Sequence, residues 1–171
     1  MRNAECGVRN GEHKEPLSTA RVIRIPSPIG VLHATFGERG LARLEFSDWM
    51  PKAAHVGDKV AQQLVRELAA YFRGDANRFL TPLDLDSATP FQQRVWGELQ
   101  RVPFGKTLSY GELARRVGAP RAARAVGQAV GANPIPILIP CHRVIRSDGS
   151  LGGFSAGLEI KQWLLRHEGC L

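Results

Sequence analysis

Apolar and polar residues alternate over three short stretches early in the chain, at 21–25, 31–36 and 41–46. A period of two predicts strands. The Pro-Ser-Pro-Ile-Gly and Glu-Arg-Gly segments between them predict turns, so an antiparallel meander is expected. The period then changes. Val60, Leu64, Val65, Leu68 and Phe72 recur at the spacing of an amphipathic helix, which Arg73-Gly74-Asp75 ends. Residues 79–85 read as one more strand. The polar run Asp84-Leu85-Asp86-Ser87-Ala88-Thr89 follows, and beyond it the strand-like pattern largely stops.

The second half is punctuated like a set of short helices. Thr89-Pro90 has an N-cap followed by proline at the first helical position, with Phe91, Val95, Trp96 and Leu99 on one face and Trp96 as core. Ser109 and Glu112 form a capping box, and Gly118 supplies the stop. Residues 120–131 predict a helix of mostly tiny side chains whose charges are all positive. Two short helices joined through Gly-Ala-Pro make a helix-turn-helix. Between Asn133 and Pro140 three prolines forbid a helix and predict an extended segment. Residues 144–146 and 151–154 flank Ser147-Asp148-Gly149-Ser150, which predicts a β-hairpin, the wing of such a domain. A last helix spans 158–167, with Ile160, Trp163, Leu164 and Leu165 on its apolar face.

These elements predict an α/β N-terminal domain (antiparallel sheet plus helix) over 20–86 and a mainly α winged helix-turn-helix domain over 87–171. Residues 1–19 lack periodicity and read as a flexible leader. A chain of 171 residues is long enough for one good core or two small ones.

Charge separates the two parts further. Residues 1–86 carry 12 basic and 11 acidic side chains, whereas 87–171 carry 11 and 5, so nearly all of the net +7 belongs to the second part. A concentrated positive field favours a polyanionic partner, nucleic acid before membrane, against the alternative of solubilising surface charge. Cys6, Cys141 and Cys170 are an odd set without C-x-x-C spacing, which indicates neither a disulfide framework nor a zinc site. His33 has no second ligand at metal spacing and reads as a packed or surface histidine. The polar start carries no signal-like stretch and no apolar run spans a bilayer, so a cytoplasmic protein without a membrane role is expected.

One stretch concentrates chemistry: Ile139-Pro140-Cys141-His142-Arg143-Val144 sets a thiol beside an imidazole. A free cysteine has a pKa of about 8.5, and a neighbouring base is the usual way to raise its thiolate fraction. The alternative is a small, buried, inert hydrophobe. Glu168 falls where the helix macrodipole disfavours a carboxylate; either a partner such as His142 holds it, or the helix end is frayed.

With these residues in place, the chain resembles the O6-alkylguanine-DNA alkyltransferases, the methylated-DNA–protein-cysteine methyltransferases. The resemblance rests on Phe91-Gln92-Gln93-Arg94-Val95-Trp96, Ser109-Tyr110, Ala122-Ala123-Arg124-Ala125-Val126-Gly127, Asn133-Pro134, Pro140-Cys141-His142-Arg143-Val144 and Trp163-Leu164-Leu165-Arg166-His167-Glu168-Gly169. Ser27-Pro28-Ile29-Gly30 extends it into the first half. It implies a ribonuclease-H-like N-terminal domain. It further implies direct DNA repair, in which an alkyl group moves once and irreversibly from O6 of guanine, less readily O4 of thymine, to Cys141.

The resemblance also implies roles. Glu168 orients His142, which takes the Cys141 proton through a water, and Tyr110 helps rotate the nucleotide and serves the departing base. Asn133 braces the active-site turn. Arg124 fills the gap left by a flipped nucleotide, while Ala122, Ala123, Ala125 and Gly127 let the helix lie close in the minor groove of double-stranded DNA. Pro136, Val144, Phe154 and Ser155 form the substrate pocket, Phe154 standing where many relatives have tyrosine. Arg143 ties the active-site segment to the other domain. The protein is expected to act as a monomer that can cluster on DNA, with no cofactor and no metal. Three other readings compete: a non-catalytic alkyl-lesion-binding protein, a winged-helix regulator and a Cys-His hydrolase.

Overall fold

The computed structural model describes residues 21–46 and 58–171; the expected leader and Cys6 lie outside the described residues. Three strands, β1 (Arg21–Ser27), β2 (Gly30–Phe36) and β3 (Leu41–Phe46), form an antiparallel meander. Its register sets Ile23 opposite Ala34, Ile25 opposite Leu32, and Ala34 opposite Leu44. Alternation therefore sends Ile23, Ile25, Leu32, Ala34, Phe36 and Leu44 into the core.

Helix α1 (Lys59–Arg73) covers this sheet. Asp58 caps its start by accepting from the Val60 amide at 3.2 Å, and Gly74 ends it at φ 80°. Its buried stripe is Ala61, Leu64, Leu68 and Tyr71, rotated from the expected one: Val60, Val65 and Phe72 are only half-buried.

The strand expected at 79–85 does not form. Leu83 makes a single parallel bridge to Leu41. The Glu67 carboxylate accepts from the amides of Leu80 (2.9 Å) and Thr81 (3.1 Å), so those donors are unavailable to a ladder, and Pro82 has none to offer.

The second half holds α2 (Pro90–Gln100), β4 (Leu108–Ser109), α3 (Tyr110–Arg116), α4 (Ala123–Gly131), β5 (Val144–Ile145) and α5 (Leu158–His167). Capping boxes open α2 at Thr89–Gln92 and α3 at Ser109–Glu112. Val95, Trp96 and Leu99 are buried, and the Trp96 indole donates to the Ala129 carbonyl at 2.8 Å, pinning α2 to α4. Helix α4 packs on α2 and α3 as the second member of the helix pair. It begins three residues later than expected, because residues 119–122 form a turn closed by the Ala122 amide on the Ala119 carbonyl.

Two local expectations are overturned. Residues 146–150 do form a tight turn, but β5 pairs in parallel with β4, and 151–154 form no strand. The buried Lys161 ammonium takes the Leu151 and Gly153 carbonyls together with that of Val144, which holds this backbone against α5 instead of in a ladder. The 133–140 segment is a compact turn, not an extended approach. Prolines fix only their own φ, and Asn133 closes the loop: its Nδ2 donates to the Ile139 carbonyl (2.8 Å) and its Oδ1 accepts from the Ile135 amide (3.0 Å). Ile137 sits there at φ 74°, a conformation costing a β-branched residue about 1–3 kcal/mol. The turn is thus held by its surroundings.

Candidate active site

The Asn133 turn delivers Cys141, His142 and Arg143 as a single buried 3-10 turn. A tight turn, and not an extended segment, therefore sets how the thiol and imidazole diverge. The His142 Nε2 lies 2.8 Å from Glu168 Oε1, at the end of α5. Arg143 grips the same carboxylate, Nε to Oε2 at 2.7 Å and a terminal nitrogen to Oε1 at 2.9 Å, and donates to the Val102 carbonyl at 2.5 Å. The hydrogen bonds of Arg143 stay within the second half; the first half reaches the site through Tyr71, whose hydroxyl donates to Glu168 Oε1 at 2.7 Å, and through the Leu44 amide of β3, which donates to the Pro134 carbonyl at 2.9 Å. The expected bridging role of Arg143 thus passes to residues of α1 and β3.

This network sets the protonation states. Burial alone would raise the Glu168 carboxyl, but the hydrogen bonds and charges of His142 and Arg143 outweigh it and hold the group at about 2. Burial pushes His142 down, against the opposing pull of Glu168, so its imidazole rests neutral. With Arg143 as the fixed positive charge, the carboxylate is ionised and can only accept; Nε2 of His142 therefore carries the proton. Nδ1 is left as a buried lone pair with no hydrogen-bond partner among the described residues. Burial raises the Cys141 thiol, while a hydrogen bond from Asn133 and the charge of Lys161 oppose that rise. The resting thiol is protonated and lies near the means of ionising it.

Lys161 is fully buried, and desolvation brings its ammonium down to about 8. Three backbone carbonyls around it favour the charged form. It was not among the residues expected from sequence, nor was Tyr71. A signal for Lys161 existed: Lys161, Leu164, Leu165 and Glu168 follow i, i+3, i+4, i+7, so two charges sit on the buried stripe of α5. Such charges require partners.

A cavity of about 190 Å³ opens onto Cys141, lined by Tyr110, Gly127, Val130, Gly131, Gly153, Phe154 and Ser155. Of the residues expected to form the pocket, Phe154 and Ser155 line this cavity. Pro136 instead lines an adjoining cleft of about 300 Å³ with Arg43 and Phe46, and that cleft shares Gly131 and Ser155 with the first. Val144 is wholly buried, and its carbonyl accepts from Lys161 at 2.6 Å. Burial and the nearby Cys141 raise the Tyr110 phenol. Gly152, at φ 68°, lets the chain pass the Tyr110 ring, because a Cβ there would stand 3.2 Å from it.

Helix α4 borders the cavity through Gly127, Val130 and Gly131. Arg124 and Ala123 are exposed, Ala122, Ala125 and Gly127 half-exposed, and Gly127 faces the Tyr110 ring. No side chain caps the start of α4. Among the described residues, no group of three or more His, Cys, Asp or Glu side chains could hold a metal ion, and no helix is long and apolar enough to cross a membrane.

A sheet domain joined to a helical domain, with one thiol at the base of a small cavity beside a helix pair, defines a two-part cysteine-site protein. Two family models match it in order: the ribonuclease-like domain of 6-O-methylguanine DNA methyltransferase over residues 21–85 and the DNA-binding domain of the same family over 90–170. A methylated-DNA–protein-cysteine methyltransferase of Mycolicibacterium paratuberculosis is 44% identical over 148 residues, covering 84% of this chain and 89% of that protein. One of Methanosarcina acetivorans is 40% identical, covering 84% and 94%. The crystal structure of Mycobacterium tuberculosis O6-methylguanine methyltransferase superposes with a TM-score of 0.76 at 41% identity, covering 88% of this chain and 93% of that one. A Mycobacterium tuberculosis structure in complex with DNA gives 0.76 at 43%, covering 87% and 92%. The chain belongs to the 6-O-methylguanine DNA methyltransferase family.

Proposed function

We propose that this protein repairs alkylated DNA directly, moving an alkyl group, methyl above all, from O6 of guanine and less readily from O4 of thymine onto Cys141, once per molecule. The observation that carries the reading is a buried thiol at the base of a cavity, next to a neutral imidazole whose outer nitrogen is held by an ionised glutamate.

The chemistry follows from these groups. The Cys141 proton passes through a water to Nδ1 of His142, whose rising positive charge Glu168 stabilises. Sulfur attacks the alkyl carbon as its bond to O6 breaks, leaving a thioether on the protein and the bonding pair on the guanine. Tyr110 donates a proton to the departing base, and the high pKa of its phenol keeps that proton available at neutral pH. Lys161 supports the thiolate by its charge. Asn133 and Lys161 hold the turn and the pocket wall in place. No group here cleaves a thioether, so the protein is consumed.

A base inside a duplex is out of reach of a thiol in a cavity. The nucleotide must be flipped, at about a few kcal/mol. Arg124, exposed on α4, enters the gap, and the small side chains around it let α4 lie in the minor groove of double-stranded DNA. The uncapped start of α4 leaves amides for a phosphate. Residues 20–86 support the site and 87–171 bind DNA and accept the alkyl group, as a monomer that can cluster along DNA.

Intact-protein and peptide mass spectrometry after incubation with a duplex carrying one O6-methylguanine tests this, with Cys141→Ala as control. One methyl on the Cys141 peptide, saturating at one per molecule, is expected. Tight binding without modification would make it a lesion-binding protein, and repeated turnover with a free thiol would make it a hydrolase.

A further inference from the structure

Three of the four hydrogen bonds to the Glu168 carboxylate converge on Oε1: from His142, from Arg143 and from Tyr71. The last comes from the other domain. Tyr71 is 1% exposed and held at two points by consecutive residues of the second half. Its hydroxyl donates to Glu168 at 2.7 Å, and its carbonyl accepts from His167 Nε2 at 2.8 Å. The rings of His167 (5.2 Å) and Phe104 (6.1 Å) pack edge-on against its own. A phenylalanine would fill this apolar site equally well. A hydroxyl buried there is favourable only with a partner, and its one partner is the oxygen that His142 uses.

We propose that Tyr71 is a positioning residue of the alkyl-transfer relay, supplied by the N-terminal domain, which tempers the basicity of His142 by sharing the negative charge of Glu168 Oε1. This rests on the reading of Cys141, His142 and Glu168 as the reacting relay. A donor on a carboxylate draws charge from its other acceptor bonds, so the pull of Glu168 on the His142 proton is weaker with Tyr71 in place. The other ionisable groups around the pair and Tyr71 are Arg143 on the same turn, Lys161 and His167 on α5, Cys141, and Cys170 with Lys106 beyond it. Tyr71 reaches Glu168 from the first domain, and its phenol stays protonated because burial and the Glu168 charge raise it. The relay is therefore closed across the domain boundary.

The test is Tyr71→Phe in the full chain, read in two ways. In the unreacted protein, the His142 Nε2–H resonance should move downfield as its bond to Glu168 strengthens. In single-turnover methyl transfer, the acid limb, where His142 protonation stops the reaction, should move up by about 0.5 to 1 pH unit. Pure packing damage would lower the rate at every pH and leave the midpoint alone. An unmoved resonance and an unmoved midpoint, whatever the rate, would overturn the proposal. Should Tyr71→Phe fold poorly, 3,5-difluorotyrosine at position 71, a stronger donor, should move the resonance upfield; no movement there overturns it equally. The resonance is read without any alkyl transfer. A wild type that transfers no methyl group would sink the repair reading while leaving the Tyr71 bond judged on its own.

Discussion

The meander of β1–β3 and the turn from Asn133 to Arg143 are both buried, yet the turn relies on charged and polar side chains where the sheet relies on apolar ones. In the sheet, amides and carbonyls pair with one another in register and apolar side chains do the packing. The turn has short backbone bonds of its own, such as the Ile139 amide on the Ile135 carbonyl and the Arg143 amide on the Pro140 carbonyl, and polar side chains add to them: Asn133 closes it, Arg143 reaches back to Val102, and Lys161 gathers the carbonyls beyond it. A sheet spreads its stability over many similar contacts. The turn concentrates it in a few charged ones, and burial, with those charges acting beside it, sets the state of Cys141 and His142.

Arg143→Met breaks this contrast most severely. It leaves the Glu168 carboxylate buried with only neutral donors, and removing one partner of such a pair costs about 3–5 kcal/mol. Urea unfolding at pH 7 should show a loss of that size, together with loss of methyl transfer. A cost under about 1 kcal/mol would mean that the turn is held by its apolar contacts like the sheet.

The same contrast explains what could be read from sequence. Period-two alternation was enough for β1–β3, because strand pairing depends on neighbours in the chain. Capping boxes at Thr89 and Ser109 marked α2 and α3 because a cap is a local bond. The run at 79–85 has the residue pattern of a strand and forms none, because Glu67 on α1 takes the Leu80 and Thr81 amides, which periodicity does not register. Lys161 and the absent hairpin share one reason: a lysine from α5 takes carbonyls that a ladder would have used, and no local pattern carries that contact. Periodicity places Leu64 and Leu68 on the buried stripe of α1 but favours Val60, Val65 and Phe72 over Ala61 and Tyr71, because a tyrosine is apolar only once its hydroxyl has a partner. The Pro-Cys-His-Arg stretch marked where chemistry lies, but its turn geometry comes from Asn133, eight residues upstream of the thiol.

Leu64→Ala sharpens the comparison from the sheet side. Leu64 is fully buried on α1, so truncation should cost about 3 kcal/mol. The folded variant should still transfer its methyl group at close to the wild-type rate. Acid separates the two cases further. The Glu168 carboxyl is held at about 2 when folded against about 4.3 unfolded, so its contribution is present above about pH 5 and is lost as pH falls toward 2, about 3 kcal/mol in all. Denaturation of wild type and both variants from pH 7 to 3 should show a constant Leu64→Ala penalty and a shrinking Arg143→Met penalty. Parallel loss in both would mean that the charged network contributes little to acid sensitivity.

Arg124→Ala has the smallest expected effect on stability and separates a third kind of residue from the other two. The side chain is exposed on α4, and removing it should change the unfolding free energy by no more than about 0.5 kcal/mol. Its work is done only when a nucleotide leaves the stack. Methyl transfer from a duplex should slow by about tenfold or more, because the flipped state loses the group that fills its gap. Reaction with free O6-methylguanine base, which needs no flipping, should be unchanged. Equal slowing on both substrates would place Arg124 in the reaction itself. An unchanged duplex rate would move the gap-filling role elsewhere on the rim of the site.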